Sequence, residues 1–164
     1  MNIIAAVDRN FAIGKGNELL VSIPKDRQLF MNETLGKTVV MGRKTFESLP
    51  GGQPLYGREN IVLSADASFA PKGVTVFKNF DDALHYLRKL PSDSVYIIGG
   101  ESIYREFLPY CDTLHLTKID YAYDGDRHFP DISEDREWYV EEESDEETYF
   151  DLAYTFVRYR RKRR

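Results

Sequence analysis

VYIIGGESIY (95–104) decides the architecture: four β-favouring residues run straight into two glycines, and helical spacing follows. A strand that passes through glycine into a helix is the joint of a parallel α/β sheet. VVMGRKT (39–45) repeats it, with Gly42 at the turn and Arg43, Lys44 and Thr45 in the first helical turn. Outward from these joints, apolar runs recur at NIIAAV (2–7), KTVVM (37–41), NIVL (60–63), VTVF (74–77) and TLHLTKI (113–119). Helical spacing fills 24–34, 43–49, 79–89 and 101–107. Nearly all-apolar strands alternating with helices predict a largely parallel sheet covered on both faces. After about residue 120 the helices stop. The segments around Trp138–Glu143 and 149–160 predict a terminal antiparallel pair, with Leu152, Tyr154 and Phe156 alternating against Ala153, Thr155 and Val157. With no repeat or linker, the expectation is one α/β domain over residues 1–164.

The 164 residues are 42% hydrophobic and 30% charged, as in soluble folded chains, and no apolar run reaches the length of a membrane span. MNIIAAVDRN lacks the basic region and cleavage site of a signal peptide. Cys111 is the only cysteine, which removes a disulfide framework or cysteine-based zinc site and points to a reducing, cytoplasmic setting. His85, expected on a helix surface, His115, expected on a strand, and His128 show no metal-ligand spacing. There is no GxSxG elbow either, so metal-dependent and nucleophilic catalysis drop out. The net charge of −5 hides an asymmetry: RYRRKRR closes the chain and EEESDEE occupies 141–147. Two neighbouring antiparallel strands of opposite charge account for both blocks without a nucleic-acid or membrane partner.

FAIGKGNELL (11–20) and PGGQPLYGR (50–58) are glycine-rich connections, and in an open α/β sheet ligands collect at the carboxyl ends of the strands. Glycines at the two strand–helix joints let a ligand approach the backbone, and free N–H groups at a helix start receive phosphate. Neither joint is a GxGxxG fingerprint or a P-loop, and tight helix–sheet packing is the alternative at each. Together they form two phosphate-binding corners, as a dinucleotide requires. Basic residues at the first favour NADP over NAD. In LLVSIPKDRQLF (19–30) a proline opens a helix whose Asp26 shares a face with Leu29 and Phe30. An acid there can serve the helix dipole. Aimed into an apolar cleft, it would instead carry a raised pKa and bind the paired N–H donors of a heterocycle. Arg58, before NIVL, is a candidate clamp for a substrate carboxylate, a surface arginine at a strand start being the alternative.

AVDRNFAIG, a Pro-x-Asp helix, MGRKTFESL, PLYGRENIVLS, VYIIGGESIY, LTKID and GDRHFP follow one another in the order found in dihydrofolate reductases. The resemblance covers about residues 1–130 in register, and the C-terminal hairpin fits too. It implies a single domain with a central eight-stranded, mostly parallel twisted sheet and four flanking helices. It implies hydride transfer from C4 of NADPH to C6 of 7,8-dihydrofolate, with N5 protonated through water. Asp26 then bonds the pteridine ring and Thr117 resembles the threonine that hydrogen-bonds this carboxylate. Ile4, Ala5, Arg27, Phe30, Leu49 and Leu55 fall at substrate-side positions, and Arg58 matches the arginine that grips the glutamate tail. Ala6 and Ile13 match backbone contacts to the nicotinamide amide. Gly14, Leu19, Gly42, Arg43, Lys44, Thr45, Leu63, Ser64, Ala65 and Lys78 fall on the cofactor side, as do Ile98, Glu101, Ser102, Ile103 and Tyr104. Gly99–Gly100 resembles the family's cis-peptide pair. Residues 14–20 correspond to a mobile loop, with Asp126 as its partner. The implied partners are dihydrofolate and antifolate inhibitors, with no metal, and the chain is expected to be a monomer.

The sequence also departs from the pattern. Val21 stands where the family usually has a tryptophan, Arg27 where it has an apolar residue, and Ala65 where many relatives have a second serine or threonine. Two other readings remain: a related pterin or pyrimidine reductase of the same fold, which typically lacks the Asp26 and Arg58 pairing, and a non-catalytic nucleotide- or nucleic-acid-binding module using the basic tail.

Overall fold

Side chains alternate across a strand, and that alternation sorts the central apolar residues onto two faces. Val40, Ile61 and Ile97 fall in one buried cluster, while Val39, Met41 and Val62 fall in another. The computed structural model describes residues 1–16 and 18–162. Asn17 of the expected 14–20 loop and the last two residues of the basic tail therefore lie outside the described residues.

Chain order runs β1 (Asn2–Val7), β2 (Ala12–Lys15), β3 (Glu18–Leu19), α1 (Pro24–Thr34), β4 (Thr38–Gly42) and α2 (Arg43–Ser48). It continues through β5 (Glu59–Leu63), β6 (Thr75–Phe77), α3 (Phe80–Leu87), β7 (Val95–Gly99), α4 (Glu101–Phe107) and β8 (Thr113–Ile119). Then come β9 (Arg127–His128), β10 (Trp138–Glu143), β11 (Glu147–Tyr149) and β12 (Leu152–Arg161). The sheet order is β10-β12-β8-β1-β7-β4-β5-β6, with β11 added on β12. Every joint from β8 to β6 is parallel, and β12 is antiparallel to β8 and β10. The eight-stranded, mostly parallel α/β sheet with four helices is thus present.

Local chemistry sets the element ends. Pro24 occupies the first turn of α1, where its missing N–H is no loss, and Gly36 (φ 75°) turns the chain after it. Asn79 caps α3 by accepting the Asp82 N–H at 2.9 Å. Leu84, Leu87, Ile103 and Phe107 of α3 and α4 pack into the larger cluster, and Phe46 of α2 packs into the other.

Two expectations need correction. The segment 149–160 is not one strand: Phe150 (φ 55°) and Asp151 turn the chain between β11 and β12, with Tyr149 opposite Leu152. The connection at 11–20 is not a plain loop, because β2 and β3 within it join β9 in a separate three-stranded sheet. Strands of two to four residues are too short to show a period of two. The opposed charge blocks do meet across β10 and β12: Arg158 pairs with Glu142 (2.6 Å), Arg160 with Glu141, and Arg161 with Glu137 (2.5 Å).

Candidate active site

Parallel strands end together, so Gly42, Leu63 and Gly99 close β4, β5 and β7 along one edge of the sheet. That edge opens into a cleft of about 570 Å³. The nineteen residues expected on the cofactor side line it, with the exception of Lys78. Lys78 is exposed just beyond β6 and outside the lining, because the strand ends one residue earlier at Phe77. The Gly99–Gly100 peptide is cis. A Cβ on Gly100 would sit 3.5 Å from Thr45 Oγ1, and one on Gly42 would sit 3.2 Å from Ile103, so the glycines keep the two strand–helix corners close and open to the cleft. The Tyr104 hydroxyl lies between the carbonyl oxygens of Ile4 (2.9 Å) and Ile98 (2.8 Å), which fixes the floor where β1 and β7 adjoin.

Asp26 sits in the first turn of α1, largely withdrawn from water, and accepts the Thr117 hydroxyl at 2.5 Å. Burial raises its pKa above the ordinary aspartate value, and the Thr117 hydrogen bond partly counters the rise. Its charge also pushes up the pKa of the buried Tyr104 hydroxyl, after burial itself, which puts the acid within electrostatic reach of the cleft. Phe30, Leu49 and Leu55 are half-buried. Leu55 is pinned by Asn60, whose side chain accepts the Leu55 N–H (2.9 Å) and donates to the Leu55 and Arg58 carbonyls (2.9 and 3.0 Å).

Arg58 is built in rather than loose. Its Nε donates to Thr34 Oγ1 (3.0 Å), Nη2 to the Met31 carbonyl (2.7 Å) and Nη1 to the Tyr56 carbonyl. Three of five N–H donors are committed to neutral acceptors, and no carboxylate pairs with it among the described residues. Nη2 also reaches Met31 Sδ at 3.5 Å, a weak acceptor that a carboxylate oxygen would displace. One Nη1 donor has no acceptor among the described residues, so the two terminal nitrogens suit a bidentate carboxylate. Arg27 is exposed and donates to Ser22 Oγ (2.7 Å), an arrangement that turns it toward solvent rather than the apolar wall. Val21 packs beside Ile23, Ile119 and Tyr154.

Gly14 and Gly16 are tied to the segment that enters β9. Asp126 accepts the Gly16 N–H at 2.8 Å and donates its own N–H to the Gly14 carbonyl at 3.0 Å. Glu101 accepts the His128 N–H at 3.1 Å, so this residue anchors β9 to α4. The sequence reading missed Asn60, Thr34 and Arg127, the last of which lines the cleft from β9. A short polar residue inside a strand or late in a helix carries no periodic signal. The glycine-led GDRHFP block could have directed attention to Arg127.

A family model described as dihydrofolate reductase matches residues 1–161. The dihydrofolate reductase of Bacillus subtilis (strain 168) is 37% identical over 99% of this chain and 95% of its own length. The type 3 dihydrofolate reductase of Salmonella typhimurium is 45% identical over 80% of this chain and 78% of its own. A solved dihydrofolate reductase from Enterococcus faecalis, complexed with NADP(H) and RAB-propyl, has a TM-score of 0.87 at 31% identity, covering 99% of this chain and 96% of that one. Agreement in sequence and in backbone over nearly the whole length leaves one assignment: the chain belongs to the dihydrofolate reductase family and is an enzyme that reduces dihydrofolate.

Proposed function

We propose that Asp26 and Arg58 hold 7,8-dihydrofolate at its two ends, and that the 570 Å³ cleft holds NADPH against it. The observation that carries the reading is the Asp26–Thr117 pair: a carboxylate largely removed from water, bonded by one hydroxyl, within electrostatic reach of Tyr104 in the cleft lining.

The cleft fits a phosphorylated dinucleotide. Gly42, Gly99 and Gly100 line the cleft at the two strand–helix corners with bare backbone, and Lys44 lines the same cleft with no carboxylate partner among the described residues. Ser64 adds a hydroxyl at the end of β5. When bound, NADPH supplies a hydride at C4 of its nicotinamide. The residues of the chain do the rest. Ionised Asp26 accepts the paired N–H donors of the pteridine, and its negative charge favours a proton at N5, taken from water. Arg58 fixes the glutamate end, so the ring cannot slide along the cleft. Phe30, Leu49 and Leu55 supply apolar contact to the middle of the substrate and keep water from it. The reduction then places one hydride at C6 and one proton at N5.

Oxidation of NADPH, followed in the near ultraviolet, should require dihydrofolate. Asp26→Asn should lower turnover by orders of magnitude while NADPH affinity stays nearly unchanged; equal loss of both would assign Asp26 a structural role. Arg58→Leu should weaken dihydrofolate far more than a pterin without the glutamate tail, and equal weakening would remove the clamp. The same reading takes the chain as a cytoplasmic monomer, which sedimentation should return at 19.0 kDa. The binding-module alternative loses its main support, since Arg158, Arg160 and Arg161 are engaged by glutamates of their own chain.

A further inference from the structure

Among the described residues three cations line the cleft, and they are not equally available. The Arg43 guanidinium already bonds Glu47 (2.6 Å) and Asp66 (2.7 Å) and lies 5.0 Å from the centre of the Phe69 ring. Ser68 and then Arg43 hold the Asp66 carboxyl down at about 2, so this pair stays charged across the working pH range. Lys44 and Arg127 have no carboxylate partner among the described residues. They arise from different parts of the fold, Lys44 from the first turn of α2 and Arg127 from β9 in the small sheet.

Arg127 is held where it is by its backbone. It stands opposite Gly14 in the β2–β9 pairing, and the next residue, His128, is anchored to Glu101 at the start of α4. Half-buried Arg127 lines the cleft together with Gly14 of β2 and Glu101 of α4, on elements other than those that carry Arg43, Ser64 and Ala65. Partial burial of a cation without a counter-charge is unfavourable unless a ligand supplies the anion. We propose that Arg127 binds the diphosphate bridge of the dinucleotide cofactor, and that through it the small sheet is fastened to the bound cofactor. The proposal rests on the reading of the cleft as the NADPH site. It leaves the 2′-phosphate to the Arg43–Ser64 corner at the other end.

A coupling follows from adjacency. Asp126, next in sequence to Arg127, accepts the Gly16 N–H, so one dipeptide contacts both the loop after β2 and the cofactor. Cofactor binding at Arg127 therefore bears on Gly16 through β9, beside any direct contact at Gly14, Gly16 and Leu19, which line the cleft themselves.

The test compares NADPH with NADH, which differ only in the 2′-phosphate, by equilibrium titration of the full chain and its Arg127→Gln variant. A diphosphate contact predicts that Kd rises about tenfold for both dinucleotides, the scale of one charge-assisted hydrogen bond, with their ratio unchanged. Arg127→Lys should recover part of the loss at low salt and less at high salt. The melting temperature of the ligand-free protein should not move, since the side chain has no partner there to lose. Unchanged Kd for both dinucleotides would overturn the proposal, and so would a loss confined to NADPH, which would place Arg127 on the 2′-phosphate. A fall in ligand-free melting temperature with equal weakening of a folate analogue would make the residue structural and overturn it too. Failure of the unsubstituted chain to bind either dinucleotide would overturn the reading beneath the proposal as well.

Discussion

Asp26 is balanced between two opposed effects, burial raising its pKa and the Thr117 hydroxyl lowering it. Thr117→Val removes only the second, so the acid limb of kcat/KM should move to higher pH, as a pH–rate profile would show. Stability responds in the other direction. A carboxyl whose folded pKa lies above its unfolded one favours the fold at low pH, and that contribution is lost as pH rises through the folded value. Asp26→Asn should therefore be more stable than the unsubstituted chain at pH 7, the difference closing below about 3.8; denaturant midpoints at pH 7 and pH 3 check it. Asp26 and Arg58 were legible as candidates because the order of the blocks resembles a known family, each having a plain structural alternative when its own stretch is read alone. Their supports were not. Thr34 donates to the Phe30 carbonyl at 2.7 Å and accepts from Arg58, and nothing in the order of letters distinguishes it from an exposed threonine.

Among elements, the β10–β12 ladder and the small sheet behave differently. The ladder's ion pairs join side chains that remain well exposed, so each contributes on the order of 1 kcal/mol or less. Glu142→Lys, which sets a cation against Arg158, should lower the melting temperature by roughly 2–4 °C and leave turnover alone; a thermal scan and an assay together check this. The small sheet hangs on fewer bonds. Asp126→Ala frees the Gly16 N–H, and turnover should fall several-fold with little change in global unfolding, as stopped-flow and denaturant titration would show. The ladder could be read from charge blocks in the sequence. The small sheet could not, since Ala12 pairs with His128 across more than a hundred residues and the strands are too short to show their period.

For the whole molecule, the cleft and the fold share one free energy. A ligand that binds only the folded chain at 100 times its Kd adds about 2.7 kcal/mol. NADPH at that excess should therefore raise the melting temperature by roughly 5–10 °C, measurable by calorimetry. The parallel sheet behind this was legible because a strand buried on both faces is apolar throughout, whereas the strand order depends on pairings that periodicity does not encode. That order has a consequence for synthesis. β1 lies between β7 and β8, whose residues leave the ribosome some ninety to a hundred and ten places later. At the usual rate of roughly 5–20 residues per second, β1 waits on the order of 5–20 s for either neighbour. Until then the apolar edges of β1 lack both of their sheet neighbours, and the nascent chain's exposure to chaperones and to aggregation is set by the place of these six residues.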